Sequence, residues 1–187
     1  MESKITYFER PGAENTDATL TIARCRAEEL GIETIVVAST TGDAAVKAMG
    51  ILPGFRVIIV SHTTGMREPN LQTFTEENRR LVESQGGVIL TTAHAFSGVS
   101  AAMRQKFNTY VIGDIISNTL RTLGQGIKVV CEIALMAADA GLVRRGEDII
   151  VVAGTGQGAD TAAVITPANS HRFFDLKVRE ILCKPRL

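Results

Sequence analysis

Four short segments concentrate residue types that hold small polar ligands. They are Ser39-Thr40-Thr41-Gly42, Ser61-His62-Thr63-Thr64-Gly65, Thr92-Ala93-His94 and Gly154-Thr155-Gly156-Gln157-Gly158-Ala159-Asp160-Thr161. Hydroxyls and free backbone N–H groups at a helix start suit an anion. Ser39, Thr40, Thr41 and Gly42 therefore read as a phosphate site, or equally as a tight turn with a helix cap. His62 and His94 are the catalytic candidates. Imidazoles titrate near neutral pH and can donate to a phosphate or carbonyl or move a proton. Either one taken alone reads as a hydrogen-bonded structural histidine; two at adjacent strand ends favour function. A metal would need a third ligand. Asp160 is the only nearby candidate, so no metal is expected, and His171 is expected to be structural.

Each segment sits at the end of an apolar, β-branched run: residues 34–38 (TIVVA), 56–60 (RVIIV), 88–92 (VILTT) and 148–153 (DIIVVA). The runs are continuously apolar rather than alternating, as expected of parallel strands covered on both faces. In such sheets ligands bind outside the carboxyl ends of the strands. The four segments are therefore expected to share one cleft, with Thr63, Thr64 and Gly65 among its lining. Helical spacing over 17–30, 43–49, 75–84 and 127–140 fills the intervals. Asn15, Thr16 or Asp17 can cap the first helix, and Gly31 ends it. The order is that of a three-layer α/β/α sandwich with a mixed, mostly parallel sheet. Residues 163–166 and 173–182 read as strands with no helix between them, expected as antiparallel edge strands.

The glycine loop 154–158 lets backbone approach a ligand closely. It precedes a strand rather than a helix, which argues against a dinucleotide fingerprint, and no Gly-Lys-Ser/Thr follows to make a P-loop. Residues 61–74 form the longest irregular stretch. Arg67 and Glu68 there either reach over a ligand or belong to a solvated loop. The run 10–16, with Asn15 and Thr16, ends at a helix start and is placed to close the same pocket. Asp114, Asn118, Thr119 and Arg121 recur at helical spacing within 113–126, facing either the pocket or a subunit contact.

The 187 residues read as one domain, 1–187, with 45% apolar and 21% charged residues. Lys plus Arg and Asp plus Glu both number 20. That balance gives no footprint for nucleic acid or an acidic membrane. No stretch reads as a membrane span and the start is not a signal peptide. Three separated cysteines, Cys25, Cys131 and Cys183, fit a reducing, cytoplasmic compartment better than a disulfide framework.

Three stretches resemble the C-terminal domain of pyruvate kinase. Residues 15–30 lead into 34–38 and Ser39-Thr40-Thr41-Gly42-Asp43-Ala44-Ala45, similar to that domain's helix, strand and sugar-phosphate loop. Residues 141–154 resemble its GD-x-V-V-V-x-G strand, and Gly158-Ala159-Asp160-Thr161 the G-x-T-N turn. Over nearly the full length, with Glu14-Asn15-Thr16 and the segments 37–42 and 154–161 as marks, the chain resembles a stand-alone archaeal and bacterial family of such domains. The resemblance implies the three-layer fold and a site that accepts flavin mononucleotide (FMN). Asn15, Thr16, Ser39–Gly42, Thr63–Gly65, Gly154–Gly158, Asp160 and Thr161 would line that site. The catalytic barrel of pyruvate kinase has no counterpart here, so kinase activity is not expected. Asp43 stands where the sugar-phosphate loop often has a basic residue, which weakens fructose bisphosphate as the ligand. The expectations are a phosphorylated, planar ligand with flavin-dependent redox chemistry, or a non-catalytic sensor of a sugar phosphate or nucleotide. A flavin-free hydrolase or isomerase lacks an identifiable nucleophile. The sensor would signal through a partner or through self-association.

Overall fold

The computed structural model describes residues 3–186. Seven strands form one sheet: β1 (Thr6–Phe8), β2 (Thr34–Ala38), β3 (Arg56–Ser61), β4 (Val88–Thr91), β5 (Ile149–Ala153), β6 (Thr161–Thr166) and β7 (Lys177–Pro185). Their spatial order is β1-β7-β6-β5-β2-β3-β4. β5, β2, β3 and β4 run parallel, β6 is antiparallel to both neighbours, and β7 pairs parallel with β1.

Alternation along each strand divides the core. Ile35 and Val37 of β2 join Val57, Ile59, Ile150 and Val152 on one face; Val36 joins Ile58, Val60 and Val151 on the other. Helices α1 (Thr16–Leu30), α2 (Asp43–Ile51) and α3 (Glu76–Ser84) cover the first face through Leu20, Ala23, Ala27, Ala45, Ala48 and Val82. On the second lie α4 (Gly98–Phe107), α5 (Ile112–Arg121) and, innermost, α6 (Gln125–Asp139), which presents Ile127, Val130, Ala134 and Leu135. Each fully buried Ile or Val contributes about 2 kcal/mol of transfer free energy, so a sheet covered on both faces is strongly favoured over an open one.

Strand and helix expectations in the first half hold to within a residue or two. α1 ends at Gly31, whose φ of 66° allows its N–H to close on Ala27 and Glu28. Thr75 caps α3 by accepting from Asn78 N at 3.2 Å.

The C-terminal end differs from expectation. β6 is antiparallel but lies inside the sheet, between β5 and β7, and β7 runs with the main set. The edge is β1, a three-residue strand with two exposed residues that the sequence pattern does not announce. Residues expected as strand from 173 begin instead in a 3-10 turn, Ser170–Asp175, which reverses the chain before β7. The turn carries His171, exposed, and its first amide donates to Asp139 Oδ1 at the far end of α6, 2.9 Å away. His171 is thus remote from the carboxyl ends of the parallel strands. Among the described residues, no helix is long and apolar enough to cross a membrane. Cys131 and Cys183 are buried free thiols pushed up to about 11 by desolvation, and Cys25 is exposed and free.

Candidate functional site

Because β5, β2, β3 and β4 are consecutive and parallel, their carboxyl ends line one edge. Thr41 and Gly156 follow neighbouring strands, β2 and β5, so their loops lie along the same edge. The start of α6 lies at this edge too: a Cβ on Gly126 would meet Thr161 Oγ1 at 2.0 Å, and Thr161 pairs with Ala153, the last residue of β5.

At the ends of β3 and β4, the rings of His62 and His94 sit edge to face with centroids 5.4 Å apart. His62 Nε2 is 3.3 Å from Thr40 Oγ1. His94 Nδ1 is 3.7 Å from Glu132 Oε2, an electrostatic contact longer than a hydrogen bond. Glu132 also pairs with Lys128 Nζ one helical turn earlier and accepts from Phe96 N at 3.0 Å. Lys128 and Glu132 are 6% and 2% exposed, so their charges are held by each other rather than by water.

Desolvation pushes the His62 pKa down; the neighbouring His94 and then Arg67 push it the same way against Glu132. Desolvation lowers His94 as well, with Glu132 opposing and Lys128 assisting. Both rings are therefore neutral at pH 7, each with one N–H and one lone pair. His62 Nδ1 and His94 Nε2 are buried without a protein partner. Such groups are normally satisfied.

The other expected residues divide into two sets. Thr16, Asp160 and Thr161 are buried; Thr16 and Asp160 tie loops together, and Thr161 bonds its neighbour Asp160. Thr16 Oγ1 donates to Ala13 O at 2.7 Å and accepts from Ala159 N at 3.0 Å. The Asp160 carboxylate accepts from Gly12 N (3.2 Å), Thr155 N (3.0 Å) and Thr161 Oγ1 (2.8 Å). Gly158, at φ +69°, packs so that a Cβ would stand 2.4 Å from Ala13 Cα. Asn15 does not cap α1 with its side chain; its amide donates to Arg10 O at 2.8 Å. The 10–16 run is thus fastened to the glycine loop by residues that spend their polar atoms on the protein. Gly154 and Thr155 are half-buried and Gly156 and Gln157 exposed.

Ser39–Gly42 stands at the start of α2 but is also engaged. Ser39 Oγ accepts from Ala45 N at 3.2 Å and Thr41 Oγ1 donates to Asp43 Oδ2 at 2.8 Å. Asn78 bridges Thr41 O and Asp43 Oδ1 at 3.2 and 3.1 Å. A carboxylate in the first turn already complements the helix dipole, and it would repel a phosphate dianion. In the loop after β3, Gln72 Nε2 donates to His62 O (3.1 Å) and Thr64 Oγ1 (3.2 Å). Gly65 N donates to Leu71 O at 2.9 Å. The loop is thereby folded on itself, with Thr63 half-buried and Arg67 and Glu68 exposed.

Sequence reasoning missed Lys128 and Glu132. Two opposite charges at i,i+4 within the otherwise apolar run 127–138 were the available signal. Among the described residues, no group of three His, Cys, Asp or Glu is placed to hold a metal ion. A groove of about 580 Å³ lies at the opposite edge, by the strand starts Thr34, Arg56 and Ile149.

Fold and site together define a domain of the doubly covered, mostly parallel α/β class, its polar residues gathered at one sheet edge. Residues 17–165 match the family model for the pyruvate kinase alpha/beta domain, and the chain belongs to that family. Among solved structures, it is similar to Cryptosporidium parvum pyruvate kinase in complex with ADP: 13% identity, 82% of this chain, 24% of that one and a TM-score of 0.43. A second crystal structure of C. parvum pyruvate kinase gives 14% identity, 85% and 23% coverage and a TM-score of 0.41. The chain thus spans about a quarter of the length of those enzymes.

Proposed function

We propose that this chain binds a phosphorylated, planar small molecule over the carboxyl edge of β5, β2, β3 and β4, with FMN the candidate. The observation that carries this reading is the pair of neutral imidazoles whose His62 Nδ1 and His94 Nε2 lack protein partners. An unsatisfied buried polar atom costs about 1–3 kcal/mol, and a ligand edge that alternates donors and acceptors removes that cost. Gly156 and Gln157, exposed in the glycine loop, leave room for backbone contact with the ligand. FMN, when bound, would supply hydride-transfer chemistry. The chain's own residues would orient the ring, and the two histidines would hold or move a proton at its edge.

The donor set suits the ring better than the phosphate. The start of α2 carries Asp43 within hydrogen-bond reach of Thr41 and Asn78, so the Ser39–Gly42 turn is a poor seat for a dianion.

The test is titration of purified protein into FMN, followed by quenching of flavin fluorescence, with riboflavin alongside. Saturable quenching that weakens in His62→Asn and His94→Asn supports the reading. No quenching by either flavin, with thermal stabilisation by a sugar phosphate instead, would replace it with the sensor reading.

A further inference from the structure

We infer that the junction of α5 and α6 is an oxyanion pocket, built to seat a phosphate or the phosphate of a small ester. A cavity of about 240 Å³ opens there, lined by Arg121, Lys128, Ser117 and Asn118, with Arg104 and Asp114 at its side. It is smaller than the roughly 300–1,000 Å³ typical of sites for drug-sized ligands, which suits an anion bearing a few carbons.

The charge balance favours an anion. Arg104 is paired with Asp114, and Lys128 with Glu132. Arg121 is different. Its Nε donates to Gln125 Oε1 at 2.7 Å and its Nη1 to Asn118 Oδ1 at 2.8 Å. Both acceptors are neutral amides, so the guanidinium is oriented without being neutralised. A planar, fixed fork of this kind suits bidentate contact with an oxyanion.

The start of α6 points the same way. Its N-cap is Gly124, with no side-chain cap, and its first turn holds no acidic residue. Lys128, the fourth residue of this 15-residue helix, is already paired with Glu132. A helix start with neither a side-chain cap nor a first-turn carboxylate leaves its N–H groups and dipole open to an anion. At the start of α2, by contrast, Asp43 occupies the corresponding first turn. Lys128 and Ser117, both buried, give the pocket a firm floor.

The inference stands whether or not a flavin binds over the histidines, because its probe is inorganic phosphate. The full chain is titrated with phosphate at constant ionic strength, replacing chloride, and followed by backbone amide NMR. Saturable shifts at residues 117–128 are expected. Arg121→Gln, a change at an exposed side chain, is expected to weaken binding about tenfold or more, the worth of one charge-assisted contact. Its urea midpoint is expected to match the parent, which separates lost binding from lost folding. Asp43→Asn is expected to leave the affinity unchanged. The assignment is overturned if no saturable shift occurs at 117–128. It is equally overturned if the shifts fall at 39–45, or if Arg121→Gln binds phosphate as the parent does.

Discussion

Gly126→Ala sets helix propensity against packing, and the two have opposite signs. Gly126 lies in the first turn of α6, where alanine would stabilise an isolated helix by about 1 kcal/mol over glycine. The structure forbids that gain. A Cβ there would stand 2.0 Å from Thr161 Oγ1, 2.4 Å from its Cβ and 3.0 Å from its Cγ2. The hydroxyl could turn away, but the Thr161 Cβ is fixed by the β6 backbone. Restoring ordinary contact would move α6 from the sheet by about 1 Å, in a region packed at crystal-like density. Overpacking of this kind costs about 1–3 kcal/mol. With the propensity gain deducted, the variant should be up to about 2 kcal/mol less stable. Urea unfolding with an unchanged slope is the assay. Because α6 carries Lys128 and Glu132, the His94 ring resonances should shift as well. A variant more stable than the parent, showing the uncompensated propensity gain, would refute the claim that α6 and β6 meet closely at the carboxyl edge.

Two further outcomes follow from the same geometry. His62 and His94 have pKa values held below the ordinary histidine value in the folded state, so the unfolded chain binds protons first as pH falls. Their contribution is therefore fully present above the unfolded value and is lost as pH drops through it towards the folded values, by at most about 1.4 kcal/mol per pH unit for each ring, and less for the partly exposed His62. Thermal unfolding from pH 7.5 to 5 should show this slope, and His62→Asn/His94→Asn should flatten it. Asp160→Asn replaces a buried acceptor of three close hydrogen bonds with a group that carries two donors. A loss of about 2–4 kcal/mol is expected, together with faster proteolysis at residues 10–16 and 154–158. Unchanged cleavage would show that the carboxylate does not fasten the two loops.

The parallel half of the fold was legible because its strands are covered on both faces and so are written as unbroken apolar runs. β1 was not legible. Its residues are mostly exposed, and it is a strand only because β7 presents an edge to it. The places of β6 and β7 depended on pairing between distant segments, which local pattern does not encode.

Chemical types at the site were legible in the same way. Histidines, hydroxyls and glycines stand directly after strand-forming runs, and the carboxyl-edge rule turns that sequence order into a shared location. Which of them are free to meet a ligand was decided by tertiary structure alone. Asp160, Thr16 and Thr161 look like ligand residues in the sequence, yet their polar atoms are spent on protein partners. Lys128 and Glu132 look like ordinary helix charges, yet α6 carries them under the histidines. A side chain's type is written in the chain; its partners depend on which distant backbone arrives beside it.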